Sequence, residues 1–248
     1  MHIRRVLLGL ATAIGAAATA SAQLLPIGGS TSAPQLDPVQ IEISQAITSD
    51  KSMNVVPFEF DPTGLNLAHS SWLTGTGCTA EGLADPLCAE LDPRDARHEG
   101  LLLVKTGSTG NPVAAGARIN GVKGMPLTEL GYDIRKPLLP TDPRGSHSGA
   151  RAPRFNVVSE GVNYFIGCNS PPGTPTPLGA GWIRLRWVGP TLVGFGPDGV
   201  LTPLTGKTID SITIIFDEGQ DTGGPDNFGA AILDNIDVNG VLVGRGPV

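Results

Sequence analysis

The chain has 248 residues, of which 16% are charged, and its formal net charge is −6 at pH 7. A surface of this charge argues against nucleic acid and anionic membranes as partners, because both are negatively charged themselves, and it is compatible with divalent cations. The 34 glycines and 22 prolines interrupt the apolar runs often, which favours many short strands over long helices.

Residues 1–22 have the pattern of a secretory signal peptide. Arg4 and Arg5 form a basic start, residues 6–18 are apolar, and small residues at 20–22 precede the expected cleavage point. The residues around the arginine pair fit a twin-arginine signal poorly, so we expect export by the Sec route to the periplasm or the extracellular space. Removal of two positive and no negative charges would change the formal net charge from −6 to −8.

The rest of the chain predicts one all-β domain. Residues 23–38 are rich in serine, glycine and proline, which indicates a flexible leader, and residues 39–248 then form a single domain. No stretch is long and apolar enough to insert into a membrane. Period-two alternation or compact apolar runs predict strands at 39–47, 55–60, 100–105, 117–122, 127–134, 154–158, 162–166, 182–188, 211–216 and 230–238. Residues 65–73 fit either a strand or a single helical turn, and residues 135–153 and 169–181 are expected to be loops.

Three cysteines are expected in a compartment where disulfides form. Cys78 and Cys88 enclose a short loop with its own turn residues, and we expect them to pair. A closed loop of this length stabilises the fold by up to roughly 2 to 3 kcal/mol in the chain-entropy model. Cys168 follows an apolar run, which favours a buried, inert thiol, although pairing with another chain is the alternative.

Alternation in the segment 182–188, WIRLRWV, suggests a ligand-binding face. If Ile183, Leu185 and Trp187 face the core, the other face presents Trp182, Arg184 and Arg186. An indole beside two guanidinium groups could stack on a sugar ring and hydrogen-bond its hydroxyls or a carboxylate substituent. The alternative is that Trp182 packs against a neighbouring strand while the two arginines remain solvated.

An acidic, glycine-rich turn separates the last two predicted strands. It carries Asp217, Glu218, Asp221 and Asp226. A basic loop elsewhere, residues 135–153, together with Arg154 just beyond it, could pair with this turn or meet an anionic ligand. In the strand that follows, Asp234 shares a face with Ile232, Ile236 and Val238 by simple alternation. A carboxylate among apolar side chains needs a hydrogen-bond partner, a cation, or a bulge that turns it outward.

The sequence FGAAILDNIDVNG resembles the closing strand of extracellular jelly-roll modules of the galactose-binding-like and carbohydrate-binding superfamilies. The resemblance covers about the last quarter of the chain. It implies a jelly-roll-like antiparallel β-sandwich with long loops. In several of those families the matching aspartate helps to bind a structural calcium ion, which implies a site formed by Asp234 with Asp217, Asp221 or Asp226. Oxygen-rich ligand sets suit calcium, and a plain acidic turn is the alternative.

Catalytic signatures are sparse along the chain. The motif GSHSG at 145–149 has histidine at its centre, where a nucleophile elbow requires serine. We therefore expect a non-catalytic binding module whose partner is a glycan or a cell-surface ligand. The alternatives are a secreted glycan-active enzyme on a β-sandwich, in which two carboxylates act as acid and base, and a passive structural component of an envelope or matrix.

Millimolar calcium is expected to raise the melting temperature of the protein, because an ion that binds only the folded state stabilises it by mass action. Thermal unfolding followed by circular dichroism, across a calcium titration and with sodium chloride at matched ionic strength, measures the effect. An unchanged melting temperature in calcium, and again after a chelator is added, would contradict the calcium site.

Overall fold

The computed structural model describes residues 53–78, 98–136, 152–179, 181–220 and 227–245. The leader, the strand expected at 39–47, Cys88, Asp221 and Asp226 therefore lie outside the described residues. Within them, no helix is long and apolar enough to cross a membrane.

The described residues form strands joined by turns, with one 3-10 turn at Gly189–Thr191. The strands are β1 Asn54–Phe60, β2 Ala68–Leu73, β3 Gly100–Thr106, β4 Ala114–Asn120, β5 Glu129–Arg135, β6 Arg154–Ser159, β7 Val162–Gly167, β8 Thr174–Gly179, β9 Trp182–Val188, β10 Val193–Phe195, β11 Leu201–Pro203, β12 Ser211–Phe216, β13 Phe228–Val238 and β14 Val241–Leu242.

These strands build two antiparallel sheets. Sheet I has the order β1-β4-β12-β6-β7-β10-β11, and sheet II has the order β2-β3-β13-β5-β9-β8, with β14 beside β13. Eight strands form the centres of the two sheets: β4-β12-β6-β7 in sheet I and β3-β13-β5-β9 in sheet II. Along these eight the chain passes repeatedly from one sheet to the other. The first and the last of them, β3 and β13, are neighbours. This is a jelly-roll arrangement, so the predicted all-β jelly-roll sandwich is confirmed.

The core lies between the sheets and is centred on three aromatic rings. Tyr132, Phe155 and Trp187 have centroid separations of 5.3 to 5.8 Å. Both polar tips are satisfied, because the Tyr132 hydroxyl donates to the Pro153 carbonyl (2.8 Å) and Trp187 Nε1 donates to the Pro171 carbonyl (3.0 Å). The rings thus join β5 and β9 of sheet II to β6 of sheet I.

The predicted parity is correct in β9 and wrong in β13. In β9 the core-facing residues are Ile183, Leu185 and Trp187. In β13 the register with β5 shifts between Asp234 and Asp237, and Asn235 takes a positive φ of 44°. This β-bulge adds one residue, so the core face carries Ala231, Leu233, Ile236 and Val238, while Asp234 lies on the opposite, outer face.

Besides the two-residue strand β14, three strands lie where the sequence predicted none. β8 occupies the segment expected to be a loop at 169–181, and its two prolines, Pro175 and Pro177, masked its strand character. It is the edge strand of sheet II, where proline is tolerated. The other two, β10 and β11, have only three residues each, too few to show alternation. The ambiguous segment 65–73 contains strand β2.

The cysteines are described in part. Cys168 is buried, as expected. Cys78 is fully buried as well. Because its expected partner, Cys88, lies outside the described residues, the pairing of these two stays a prediction.

Replacement of Trp187 by alanine is expected to lower the free energy of unfolding by about 3 to 5 kcal/mol, because it opens a large cavity between the sheets. Urea unfolding followed by circular dichroism measures the change. Trp72→Ala is the matched control, since Trp72 is only partly buried, and it should cost clearly less. Equal losses in the two variants would contradict the central place of Trp187 in the core.

Candidate functional site

The outer face of sheet II carries an arginine–aspartate network made of Asp133, Arg184, Arg186, Asn235 and Asp237. Asp133 is completely buried and receives two hydrogen bonds of 2.8 Å from Arg184, through Nε and Nη2. Asn235 Nδ2 donates a further bond of 2.9 Å to the same carboxylate. Neighbouring strands supply these groups, because Asp133 on β5 lies opposite Arg184 on β9 and opposite Asp234 on β13.

Arg186 joins the network to Asp237. Its Nη1 lies 3.6 Å from Asp133 Oδ1 and its Nε lies 3.5 Å from Asp237 Oδ2. The side chain crosses β5 directly over Gly131, where an added Cβ would lie 2.3 Å from Arg186 Cδ. Glycine at position 131 is therefore required for this path of the guanidinium group.

Burial shapes the proton equilibria of the network. Burial raises the pKa of Asp237 to about 6, and Arg186 partly opposes this effect. Burial likewise lowers the pKa of Arg186, whereas the hydrogen bonds from Arg184 to Asp133 raise the pKa of Arg184. The two arginines together face several carboxylates, so the network is largely neutralised from within.

The structure keeps the three residues of the predicted ligand-binding face on one side of β9 but buries the first of them. Trp182 is only 1% exposed and packs with Cys78, Leu178 and Ile232 in a small second apolar cluster. Its ring therefore offers no exposed face for stacking on a sugar. Arg184 and Arg186 point outward as predicted, but ion pairs with Asp133 hold them, and their side chains are 17% and 16% exposed.

Asp234 finds its compensation in backbone amides. Its Oδ2 accepts a hydrogen bond from the Cys78 amide and its Oδ1 accepts one from the Asn235 amide, both at 2.7 Å. The Cys78 segment approaches so closely that a Cβ at Gly77 would lie 2.9 Å from the carboxylate. Two N–H donors therefore stabilise this charge.

Asp217 lies in a different part of the molecule. Arg154 holds its carboxylate with two hydrogen bonds of 2.6 Å. For this pair, the structure therefore shows the alternative in which a basic residue pairs with the acidic turn. The Asp217 carbonyl accepts a bond from Lys105, whose strand partner is Gly229. Asp234 is five residues further along β13 than Gly229, so roughly 16 Å of strand separates Asp234 from the end of β13 near which Asp217 lies.

The structure does not bring Asp217 and Asp234 together as ligands of one ion. Both carboxylates are already engaged, one by Arg154 and one by backbone amides. Among the described residues no group of three or more histidine, cysteine or acidic side chains could hold a metal. Asp221 and Asp226 lie outside those residues, so calcium binding by the acidic turn stays a prediction.

The outer face of sheet I carries a polar and aromatic row that sequence reasoning missed. The strand register places five residues side by side across β4, β12, β6, β7 and β10: Arg118, Thr213, Asn156, Phe165 and Phe195. Arg118 is exposed and the others are half-buried, so this row faces outward. The alternation of each strand gave the signal, but only the strand order shows that these residues are neighbours.

The polar side chains of this row have no partners among the described residues. Within the described residues, the side chains of Arg118, Thr213 and Asn156 make no hydrogen bond or ion pair. The amide oxygens of Asn156 and of Asn163, its diagonal neighbour on β7, are shielded from solvent and accept no hydrogen bond. On sheet II the charged groups bind one another, and among its described residues the buried side-chain atoms without a hydrogen-bond partner are Trp182 Nε1 and Asn235 Oδ1.

The fold and these two faces define a jelly-roll β-sandwich protein. No protein-family model matches the chain, and no curated protein matches it. Two solved structures of Clostridium thermocellum are similar to it. One is a family 11 carbohydrate-binding module in complex with a β-1,3-1,4-mixed-linked tetrasaccharide, with a TM-score of 0.39, 14% identity, and coverage of 77% of this chain and 91% of that one.

The second is the family 11 carbohydrate-binding module of the cellulosomal cellulase Lic26A-Cel5E, with a TM-score of 0.37, 13% identity, and coverage of 77% and 89%. Both TM-scores are below 0.5, so the likeness carries no argument about what this chain binds.

Replacement of Asp237 by asparagine is expected to change how stability depends on pH. The carboxyl keeps its proton to about pH 6 in the folded protein but loses it near 3.8 when unfolded. Its contribution to stability is therefore complete below pH 3.8 and is lost as pH rises through 6. Relative to wild type, Asp237→Asn should gain up to about 3 kcal/mol between pH 3.5 and 7.

Urea unfolding of both proteins at the two pH values measures this difference. Asp198→Asn, in an exposed turn, is the matched control and should show a much smaller change. A pH-independent difference between Asp237→Asn and wild type would contradict the raised pKa.

Proposed function

We propose that the protein is an exported, non-catalytic module that binds a neutral, extended oligosaccharide on the outer face of sheet I. The observation that carries the proposal is the row from Arg118 to Phe195, in which half-exposed aromatic rings lie beside polar side chains that bind nothing in the described residues. Outward-facing polar side chains without partners among the described residues, such as those of Arg118 and Thr213, are free to bind a ligand.

The aromatic part of the row supplies apolar contact. Phe165 and Phe195 lie directly opposite each other on β7 and β10. The guanidinium group of Arg154 lies 5.8 Å from the centroid of the Phe165 ring, and Arg154 is itself fixed by Asp217. The ring is therefore held in place before a ligand arrives, which reduces the entropy lost on binding.

The polar part matches the chemistry of sugar hydroxyls. A hydroxyl group both donates and accepts hydrogen bonds. The Thr213 hydroxyl does the same, Arg118 adds donors, and Asn156 lies beside Thr213 in the row. These groups stand on regular strands, where side-chain positions are precise.

The dimensions and charge of the row narrow the ligand class. Five neighbouring strands with about 4.8 Å between them extend over roughly 19 Å, which suits several sugar units in line. Arg118 is the single charged residue of the row, and no carboxylate among the described residues pairs with it. The chain as a whole is acidic. A neutral glycan fits this setting better than a polyanionic one.

Phe165→Ala is expected to weaken binding to a neutral oligosaccharide by at least about tenfold, because central aromatic contacts dominate affinity in binding sites. A glycan array followed by isothermal titration calorimetry with the best neutral ligand gives the measurement. Phe228→Ala is the matched control, since Phe228 is 52% exposed but belongs to sheet II, and it should bind as wild type does.

Unchanged affinity in Phe165→Ala, or failure of the wild type to bind any neutral glycan, would contradict the proposal. Release of new reducing ends from the bound glycan would instead favour the alternative of a glycan-active enzyme.

A further inference from the structure

Lys105 occupies a position where an apolar residue is expected. It follows Leu101 and Leu103 on the core-facing side of β3, and its exposure is 0%. A charged ammonium group is costly to bury unless the surrounding groups compensate it. The contacts of its Nζ atom therefore show what this part of the molecule is built to hold.

Three backbone carbonyl oxygens surround Lys105 Nζ. The oxygen of Asp217 lies at 2.6 Å, that of Thr109 at 3.3 Å and that of Asn111 at 3.4 Å. An ammonium group has three N–H donors and no acceptor. The three carbonyls thus match its full hydrogen-bonding capacity.

The carbonyls come from two segments that meet at one end of the sandwich. Thr109 and Asn111 belong to the connection between β3 and β4, and Asp217 follows β12. The two segments are also joined directly, because Thr109 Oγ1 donates to the Gln220 carbonyl (3.0 Å) and the Gln220 amide lies 3.1 Å from the same hydroxyl. Lys105 therefore sits at the junction of the two segments.

The two segments approach each other too closely for a side chain at position 219. A Cβ added at Gly219 would lie 2.3 Å from the Gly107 carbonyl oxygen. The Gly107 amide donates to the Asn227 carbonyl at 2.7 Å, so both flanks of the acidic turn are held here. Carbonyl dipoles that converge in this way repel one another unless a positive charge lies between them.

The charged side chains lie outside this inner set of oxygens. The Asp217 carboxylate is directed to Arg154, and Glu218 is fully buried nearby. Burial lowers the pKa of Lys105, while Asp217 raises it and Arg154 lowers it further. An inner set of neutral carbonyls is also the coordination that proteins use for monovalent cations.

We propose that the carbonyls of Thr109, Asn111 and Asp217 form a cation-binding site that the chain fills with its own ammonium group. The Lys105 ammonium group occupies the place of a bound cation, so the two segments can meet at this end of the sandwich without a free ion. Removal of the ammonium group would then leave a site for a free monovalent cation of similar size. This inference does not depend on the proposed glycan function.

The test is chemical rescue. Lys105→Ala should lower the melting temperature by about 10 °C, since an inward-facing charge that is removed leaves its partners uncompensated. Ammonium or propylammonium chloride should restore a large part of this loss in a saturable manner. Tetramethylammonium chloride at the same concentration controls for ionic strength, because that ion has no N–H donor.

Wild type and Lys123→Ala provide the matched controls, since Lys123 is exposed, and neither should gain from ammonium over tetramethylammonium. If Lys105→Ala does not fold, Lys105→Met keeps the apolar stem and is measured in the same salts. An unchanged melting temperature in the variant, or equal responses to the two salts, would overturn the proposal.

Discussion

The buried carboxylate of Asp133 is the constraint on which the outer face of sheet II depends. A charge with no exposure is stable only if its partners are placed well and are themselves satisfied. Arg184 and Asn235 meet this need directly, and Arg186 reaches it because residue 131 has no side chain to block the way. Strands β5, β9 and β13 must then keep one register, since a shift of one residue would separate the charges. The network thus fixes the alignment of three strands at the centre of the sheet.

The two outer faces of the sandwich differ in the contacts of their polar side chains. On sheet II the charged groups neutralise each other, and an anionic ligand would have to compete with Asp133 for Arg184. On sheet I the amides of Asn156 and Asn163 have unused capacity. The face with fewer charges is therefore the one on which we propose that a glycan binds, although the sequence drew attention to the arginines first.

The sequence predicts the class of fold well because alternation is a local property, and β9 shows this most clearly. It fails where a distant partner or one extra residue decides the outcome. The bulge at Asn235 reverses the parity of β13, and nothing in simple alternation marks it, although asparagine is one of the residues that take a positive φ most readily. Asp133 and Arg184 are 51 residues apart, and only the strand order makes them neighbours. The strand order likewise makes Asn156, Phe165 and Phe195 neighbours on sheet I.

Prolines on the outermost strands, including the two that hid strand β8, have a further consequence at the sheet margins. The described sheets end at β1 and β11 and at β2 and β8. Pro57, Pro203, Pro175 and Pro177 remove amide donors from three of these margins, and on β2 the Glu59 carboxylate accepts the amide of Ser70. A copy of the chain that approaches edge to edge finds an incomplete ladder of hydrogen bonds. Stacking into fibres is thereby disfavoured, even at high local concentration.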